Sequence, residues 1–265
     1  MNGRSLLFVP GSRPDRFDKA LAAAASAVIV DLEDAVEPAA KDAARDALRA
    51  WLSPAHPVIV RINAAETPWF ADDLALCGAP GVAAVMLPKA ESADALAAVR
   101  QAGATLLLPL IESAAGFAAL SVIAAAPGVA ALAFGSIDLQ VDLGLRDAHE
   151  DELLFFRSQI VLASRLAGVA PPIDGVSTAI DDEARLHVDV RRARRLGFGG
   201  KLCIHPRQVA AVNRGFAPSA EECAWAQRVL DASAAAGGAT VAVDGKMVDK
   251  PVLLRAQAIR RDAAG

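Results

Sequence analysis

Short runs of Val, Ile, Leu and Ala alternate along the chain with longer stretches in which apolar residues recur at helical spacing. The runs predict strands at residues 5–9, 27–32, 58–62, 84–87, 105–111, 131–134, 173–176 and 201–204. Each is apolar almost throughout. It lacks the polar alternation of a strand with one face in water, as parallel strands covered on both sides do. The intervening stretches are long enough for crossover helices. Eight such units predict an α/β fold, a (β/α)8 barrel over residues 1–215.

The polar positions support the same reading. Helices are predicted at 14–25, at 39–52, where Lys41/Arg45 and Asp42/Asp46 stand four apart, and at 181–196, which begins acidic and ends in Arg191-Arg192-Ala193-Arg194-Arg195. Acid first and base last complements the helix dipole, so the basic cluster reads as a solvated helix end rather than a nucleic-acid patch. Beyond the eighth strand a helix at 219–236, a hairpin of 240–243 and 246–248 about Asp244-Gly245, and a helix at 251–261 make up an extension, residues 216–265. Such a tail caps its own site, reaches a neighbouring subunit, or simply packs. Between Gln101 and Ile137 the only charged residue is Glu112, a length that could cross a membrane. Pro109, Gly116, Pro127 and Gly128 cut it into strand-sized and helix-sized pieces, and it reads as buried core.

Composition narrows the partners. The 265 residues are 54% hydrophobic and 22% charged, too apolar and too weakly charged for disorder. The 27 Lys and Arg against 31 Asp and Glu leave a charge of −4, with no basic excess to gather nucleic acid or an anionic membrane. Small molecules are the expected ligands. Cys77, Cys203 and Cys223 form no C-x-x-C pair, and residues 6–9 are too short an apolar run for a secretory signal, so a reducing cytoplasm is expected.

Barrel chemistry gathers at the carboxyl ends of the strands. Arg13, Glu33, Asp34, Arg61, Asn63, Lys89, Glu112, Asp138, Ser177 and His205 all follow the apolar runs. Glu112 and Asp138 close neighbouring strands, and two hard carboxylates suit Mg²⁺, which leaves its other positions to water and substrate. The alternative is that both merely cap the helices that follow. Arg61 emerges from a hydrophobic strand, where an arginine is costly unless paired; a guanidinium there suits a carboxylate or a developing enolate oxygen. The alternative is a structural ion pair with Glu33, Asp34 or Glu112. His205 is either a base or a hydrogen-bonded loop residue. The four histidines have no zinc-ligand spacing, and no Gly-x-Gly-x-x-Gly, P-loop or Gly-x-Ser-x-Gly is present.

Several phrases, in order along nearly the whole chain, resemble the HpcH/HpaI aldolase and citrate lyase β-subunit family, which includes malyl-CoA and citramalyl-CoA lyases. They are Arg4-Ser5-Leu6-Leu7-Phe8-Val9-Pro10-Gly11-Ser12, Asp31-Leu32-Glu33-Asp34-Ala35-Val36, Val60-Arg61-Ile62-Asn63, Leu87-Pro88-Lys89 and Leu110-Ile111-Glu112-Ser113. Phe134-Gly135-Ser136-Ile137-Asp138-Leu139, Gly200-Lys201-Leu202-Cys203-Ile204-His205-Pro206 and Asp244-Gly245-Lys246-Met247-Val248-Asp249 continue the match.

The resemblance implies a barrel, often a homotrimer, that cleaves or forms a 3-hydroxyacyl-CoA thioester with Mg²⁺, giving acetyl-CoA and an oxo acid. By the same resemblance Glu112 and Asp138 hold the metal, Arg61 holds substrate and steadies the enolate, and Asp249 is the aspartate a C-terminal lid inserts into an adjacent subunit's site. Arg13 and Lys19 match a region near the CoA phosphates, and Glu33, Asp34 and Lys89 fall in phrases that line the substrate site. Two other activities share these residues: a citryl-acyl-carrier-protein lyase subunit of a larger complex, and a pyruvate-type aldolase without CoA.

Overall fold

The computed structural model describes residues 3–237 and 240–263. The chain forms two compact units, Met1–Asn213 and Arg214–Gly265.

In the first unit eight parallel strands close into a barrel in sequence order, with β8 returning to β1. They are β1 (Ser5–Pro10), β2 (Ala27–Asp31), β3 (Val58–Arg61), β4 (Val82–Leu87), β5 (Leu107–Ile111), β6 (Ala133–Phe134), β7 (Ile173–Asp174) and β8 (Gly200–Cys203). Each lies where the apolar runs predict, because each has one face on the barrel interior and the other beneath helices. Period two then decides what fills the barrel. Leu6, Ile29, Ile59, Met86, Leu108 and Leu202 form the interior core, among ten buried residues. Two positions further on, the same inward faces carry Asp31 after Ile29 and Arg61 after Ile59. Glu112 likewise stands two positions beyond Leu110, itself in the interior core. The polar mouth is thus the last layer of the barrel's own alternation.

The outer layer begins with a 3-10 turn, Pro14–Arg16, and α1 (Phe17–Leu21), in place of the single helix predicted over 14–25. Ala24 takes a left-handed backbone (φ 57°), and that ends the helix. Then come α2 (Lys41–Trp51), α3 (Phe70–Asp73), α4 (Ala93–Gln101), α5 (Ala114–Ala118), α6 (Leu120–Ala124), α7 (Ser136–Asp142), α8 (Leu154–Ala167), α9 (Glu183–Leu196) and α10 (Pro206–Phe216). Ser92, Ser113 and Asp182 cap α4, α5 and α9 by accepting from the amides of Ala95, Gly116 and Arg185. The apolar stretch from 101 to 137 becomes β5, α5, α6 and β6, and among the described residues no helix is long and apolar enough to cross a membrane.

In the second unit, α11 (Ala220–Ala235) opens with a capping box: Ser219 Oγ accepts from the Glu222 amide at 3.1 Å, and Glu222 Oε2 from the Ser219 amide at 2.8 Å. The hairpin of β9 (Val241–Val243) and β10 (Lys246–Val248) turns at Asp244-Gly245, with φ of 52° and 72°, the two left-handed residues a tight two-residue turn requires. α12 (Lys250–Ala263) follows. Ala226, Val229, Val248 and Ala256 make this unit's own small core.

Candidate active site

Strand register sets the centre of the site. Asp31 at the end of β2 stands opposite Arg61 at the end of β3, so a carboxylate and a guanidinium meet across adjacent inward faces. Arg61 Nε and Nη2 donate to Asp31 Oδ1 and Oδ2 at 2.7 and 2.6 Å, a two-pronged pair. The same carboxylate accepts the Glu33 and Ala35 amides at 2.9 and 3.1 Å. Asp31 therefore folds the loop that carries Glu33 and Asp34 back over the arginine. The other side of that loop is held by Lys41 at the start of α2, whose ammonium donates to the carbonyls of Leu32 and Glu33 at 2.9 and 2.8 Å. Arg61 Nη1 lies 3.3 Å from Asp34 Oδ2 and 2.8 Å from Glu33 Oε2, the latter an ion pair without hydrogen-bond alignment. The guanidinium also sits 4.8 Å from the Phe8 ring centre.

Charge states follow from these contacts. Burial opposes the charge on Arg61, but Asp31, Glu33 and Asp34 outweigh it and hold its pKa above the ordinary value. Burial pushes Glu33 up to about 8; Arg61 pulls it down, while Asp34, Glu112 and Asp31 add like-charge repulsion. Burial also raises Glu112 to about 7, against the Lys89 amide that lowers it and with Asp138 adding to the rise. Lys41 is lowered by burial in spite of the surrounding carboxylates.

The predicted metal pair faces the same space. Glu112, 4% exposed, accepts the Lys89 amide at Oε1 at 2.8 Å. Asp138 lies exposed in the first turn of α7. Neither caps a helix in place of a metal: Ser113 caps α5, and no side chain caps α7. Gly135 clears the room for Glu112, since a Cβ there would lie 2.3 Å from Glu112 Oε2. Two hard carboxylates, one of them buried and lacking a counter-charge, fit a divalent cation that keeps several positions for water and substrate. Among the described residues no group of three or more His, Cys, Asp or Glu forms a fuller cage.

A cavity of about 480 Å³ joins these groups. Its polar wall is Asp31, Asp34, Arg61, Glu112, Ser136 and Asp138, and Phe8, Leu110, Phe134, Val176, Leu202 and Ile204 supply apolar surface. Of the residues singled out from sequence, Arg61, Asp34, Glu112 and Asp138 thus converge, with Glu33 behind the arginine. Lys89 joins through its main-chain amide, from a left-handed backbone (φ 45°), with its side chain exposed. Arg13 pairs with Asp15 and, like Lys19, is exposed and does not line the cavity. Asp249 belongs to the second unit, where its Oδ1 accepts the Val252 amide at 3.2 Å. His205 Nδ1 accepts the Arg207 amide at 3.2 Å, a loop contact. Asp31 was missed as a functional residue, although its place two positions beyond Ile29 on an inward face is readable once that face is known. It, rather than Glu33, Asp34 or Glu112, is the principal partner of Arg61.

Comparison with known proteins agrees with this geometry. The sequence pattern of the HpcH/HpaI aldolase/citrate lyase family matches residues 4–206. The chain belongs to that family. A citrate lyase subunit beta-like protein of Deinococcus radiodurans is 40% identical over 97% of this chain and 95% of its own length. A (3S)-malyl-CoA thioesterase of Cereibacter sphaeroides is 35% identical over 93% of this chain and 89% of its own. Among solved structures, CitE of Mycobacterium tuberculosis in complex with magnesium, acetoacetate and coenzyme A superposes with a TM-score of 0.88 at 40% identity, covering 99% of this chain and 98% of that one. This member of the family therefore has the barrel of the citrate lyase β-like enzymes.

Proposed function

We propose that the protein is a Mg²⁺-dependent carbon-carbon lyase that cleaves or forms a 3-hydroxyacyl-CoA thioester, giving acetyl-CoA and an oxo acid. The observation that carries this is the convergence of Arg61, Glu112 and Asp138 on one cavity. A relative solved with magnesium, acetoacetate and coenzyme A supports it. Glu112 Oε2 and the Asp138 carboxylate would hold the metal, and Mg²⁺, when bound, supplies Lewis-acid polarisation of the hydroxy-acid oxygens.

In the cleavage direction the hydroxyl proton is lost as its C–O bond becomes a carbonyl. The C–C bond breaks, and its electron pair passes to the thioester carbonyl as an enolate. Arg61 offsets the charge on that oxygen, its plane already fixed by Asp31, so no reorganisation is needed as charge develops. The apolar surface of the cavity keeps water from the enolate. Residues 216–265 are the candidate lid of an adjacent subunit in a homotrimer, with Asp249 delivering the proton to carbon, or removing it in the condensation direction. Lys89 and Glu33 shape the substrate side of the mouth, and Arg13 and Lys19 are the candidate contacts to the CoA phosphates.

The test is mass-spectrometric product analysis with citramalyl-CoA, malyl-CoA and citryl-CoA, each with Mg²⁺ and again with excess chelator. Metal-dependent release of acetyl-CoA plus pyruvate, glyoxylate or oxaloacetate is expected. Silence on all three from folded, Mg²⁺-loaded protein, with turnover on the acyl-carrier-protein ester, would move the assignment to the carrier-dependent subunit.

A further inference from the structure

The cavity is rich in carboxylates and poor in cations. Asp31, Asp34, Glu112 and Asp138 line it against one cationic side chain, Arg61, which Asp31 already engages through two hydrogen bonds. The cations packed nearby are also committed. Lys41 donates to the carbonyls of Leu32 and Glu33, and Lys201 donates to the Gly175 carbonyl and lies 3.6 Å from Asp174. Arg157 pairs with Asp174 and Glu150 at 2.9 and 2.7 Å. Lys89 has its side chain exposed and does not line the cavity. A divalent metal on Glu112 and Asp138, together with Arg61, suffices for one substrate carboxylate and one enolate oxygen. The remaining lining, Val176, Leu202 and Ile204 with Phe8, offers a second carboxylate no partner, and an unpaired buried charge is strongly disfavoured.

From this we infer that the oxo-acid half of the substrate carries a single carboxylate and an uncharged, small apolar substituent, so that monocarboxylic oxo acids are used in preference to dicarboxylic ones such as oxaloacetate. The inference rests on the lyase reading above and narrows it. The mycobacterial CitE has been solved with acetoacetate, with pyruvate and with oxaloacetate, so occupancy in that relative does not rank the two classes.

The decisive pair is 2-oxobutyrate and oxaloacetate, nearly equal in length and differing by a methyl in place of a carboxylate. Initial rates of condensation with acetyl-CoA, with pyruvate as reference, give kcat/KM for each. Calorimetry of the Mg²⁺-loaded protein gives the affinity for each acid without turnover. The expected result is that 2-oxobutyrate exceeds oxaloacetate by at least about a hundredfold in kcat/KM and is the tighter ligand. Ile204→Arg places a cation at the rim of the apolar surface, where Ile204 is 38% exposed. It should narrow the preference about tenfold or more, with pyruvate turnover and the melting temperature as checks on folding. Equal or better use of oxaloacetate, tighter binding of oxaloacetate, or Mg²⁺-dependent binding of neither acid overturns the inference. Selective binding without condensation overturns the lyase reading instead and leaves the selectivity standing.

Discussion

Gly135→Ala adds one methyl group at the most crowded point of the site. Gly135 has φ −93° and ψ 79°, which alanine adopts without strain, so the effect comes from contact alone. The new Cβ would lie 2.3 Å from Oε2 and 2.4 Å from Cβ of Glu112. Non-bonded carbon atoms rest near 3.5 Å, so one side must yield by about 1 Å. Glu112 cannot move freely, because Lys89 N–H holds Oε1 and the residue is 4% exposed at the end of β5. Overpacking of this kind costs about 1–3 kcal/mol, which for a chain of this size lowers Tm by roughly 2–12 °C. The functional loss is larger, since displacing a catalytic group by about 1 Å costs about 10²-fold in rate. The assay is Mg²⁺ titration by calorimetry beside thermal unfolding and turnover. The expected result is strongly weakened Mg²⁺ binding in a protein that still folds. Mg²⁺ affinity within about threefold of the parent, with Tm unchanged, would refute the claim that Gly135 makes room for a metal-holding Glu112.

Other consequences are equally direct. Asp31→Asn keeps the shape but removes the charge that Arg61 meets on two prongs; loss of about 3–5 kcal/mol of stability and at least a hundredfold in kcat are expected from urea unfolding and steady-state kinetics. Glu33, raised to about 8, binds a proton more tightly folded than unfolded, so stability is full below the ordinary carboxylate range and is lost as pH rises through 8; Glu33→Gln should flatten unfolding curves between about pH 5 and 8. Glu112→Ala and Asp138→Ala should each abolish metal-dependent turnover and leave the barrel's circular dichroism unchanged. Asp249→Asn should slow proton transfer to carbon, read as reduced solvent-deuterium incorporation into acetyl-CoA; unchanged incorporation would reduce Asp249 to the cap of α12 that its bond to the Val252 amide already makes it.

The chain alone declared the barrel, because eight apolar runs with helix-length spacers leave parallel pairing as the way to bury both faces of every strand. It also declared the hairpin, since Asp244-Gly245 is the dipeptide that accepts two consecutive left-handed residues. Arg61, Glu112 and Asp138 were legible as site residues because each is a charge placed where an apolar strand ends. Tertiary structure decided the rest. Which carboxylate holds Arg61 depends on strand register, and register puts Asp31 opposite it, leaving Glu33 a flanking contact and Asp34 a longer one. That Lys89 contributes an amide, that Lys41 anchors a loop eight and nine residues behind it, and that Gly135 is empty so that Glu112 can be full are contacts between elements. Periodicity in one dimension tells which face a side chain takes. Only the closing of the barrel tells what it meets there.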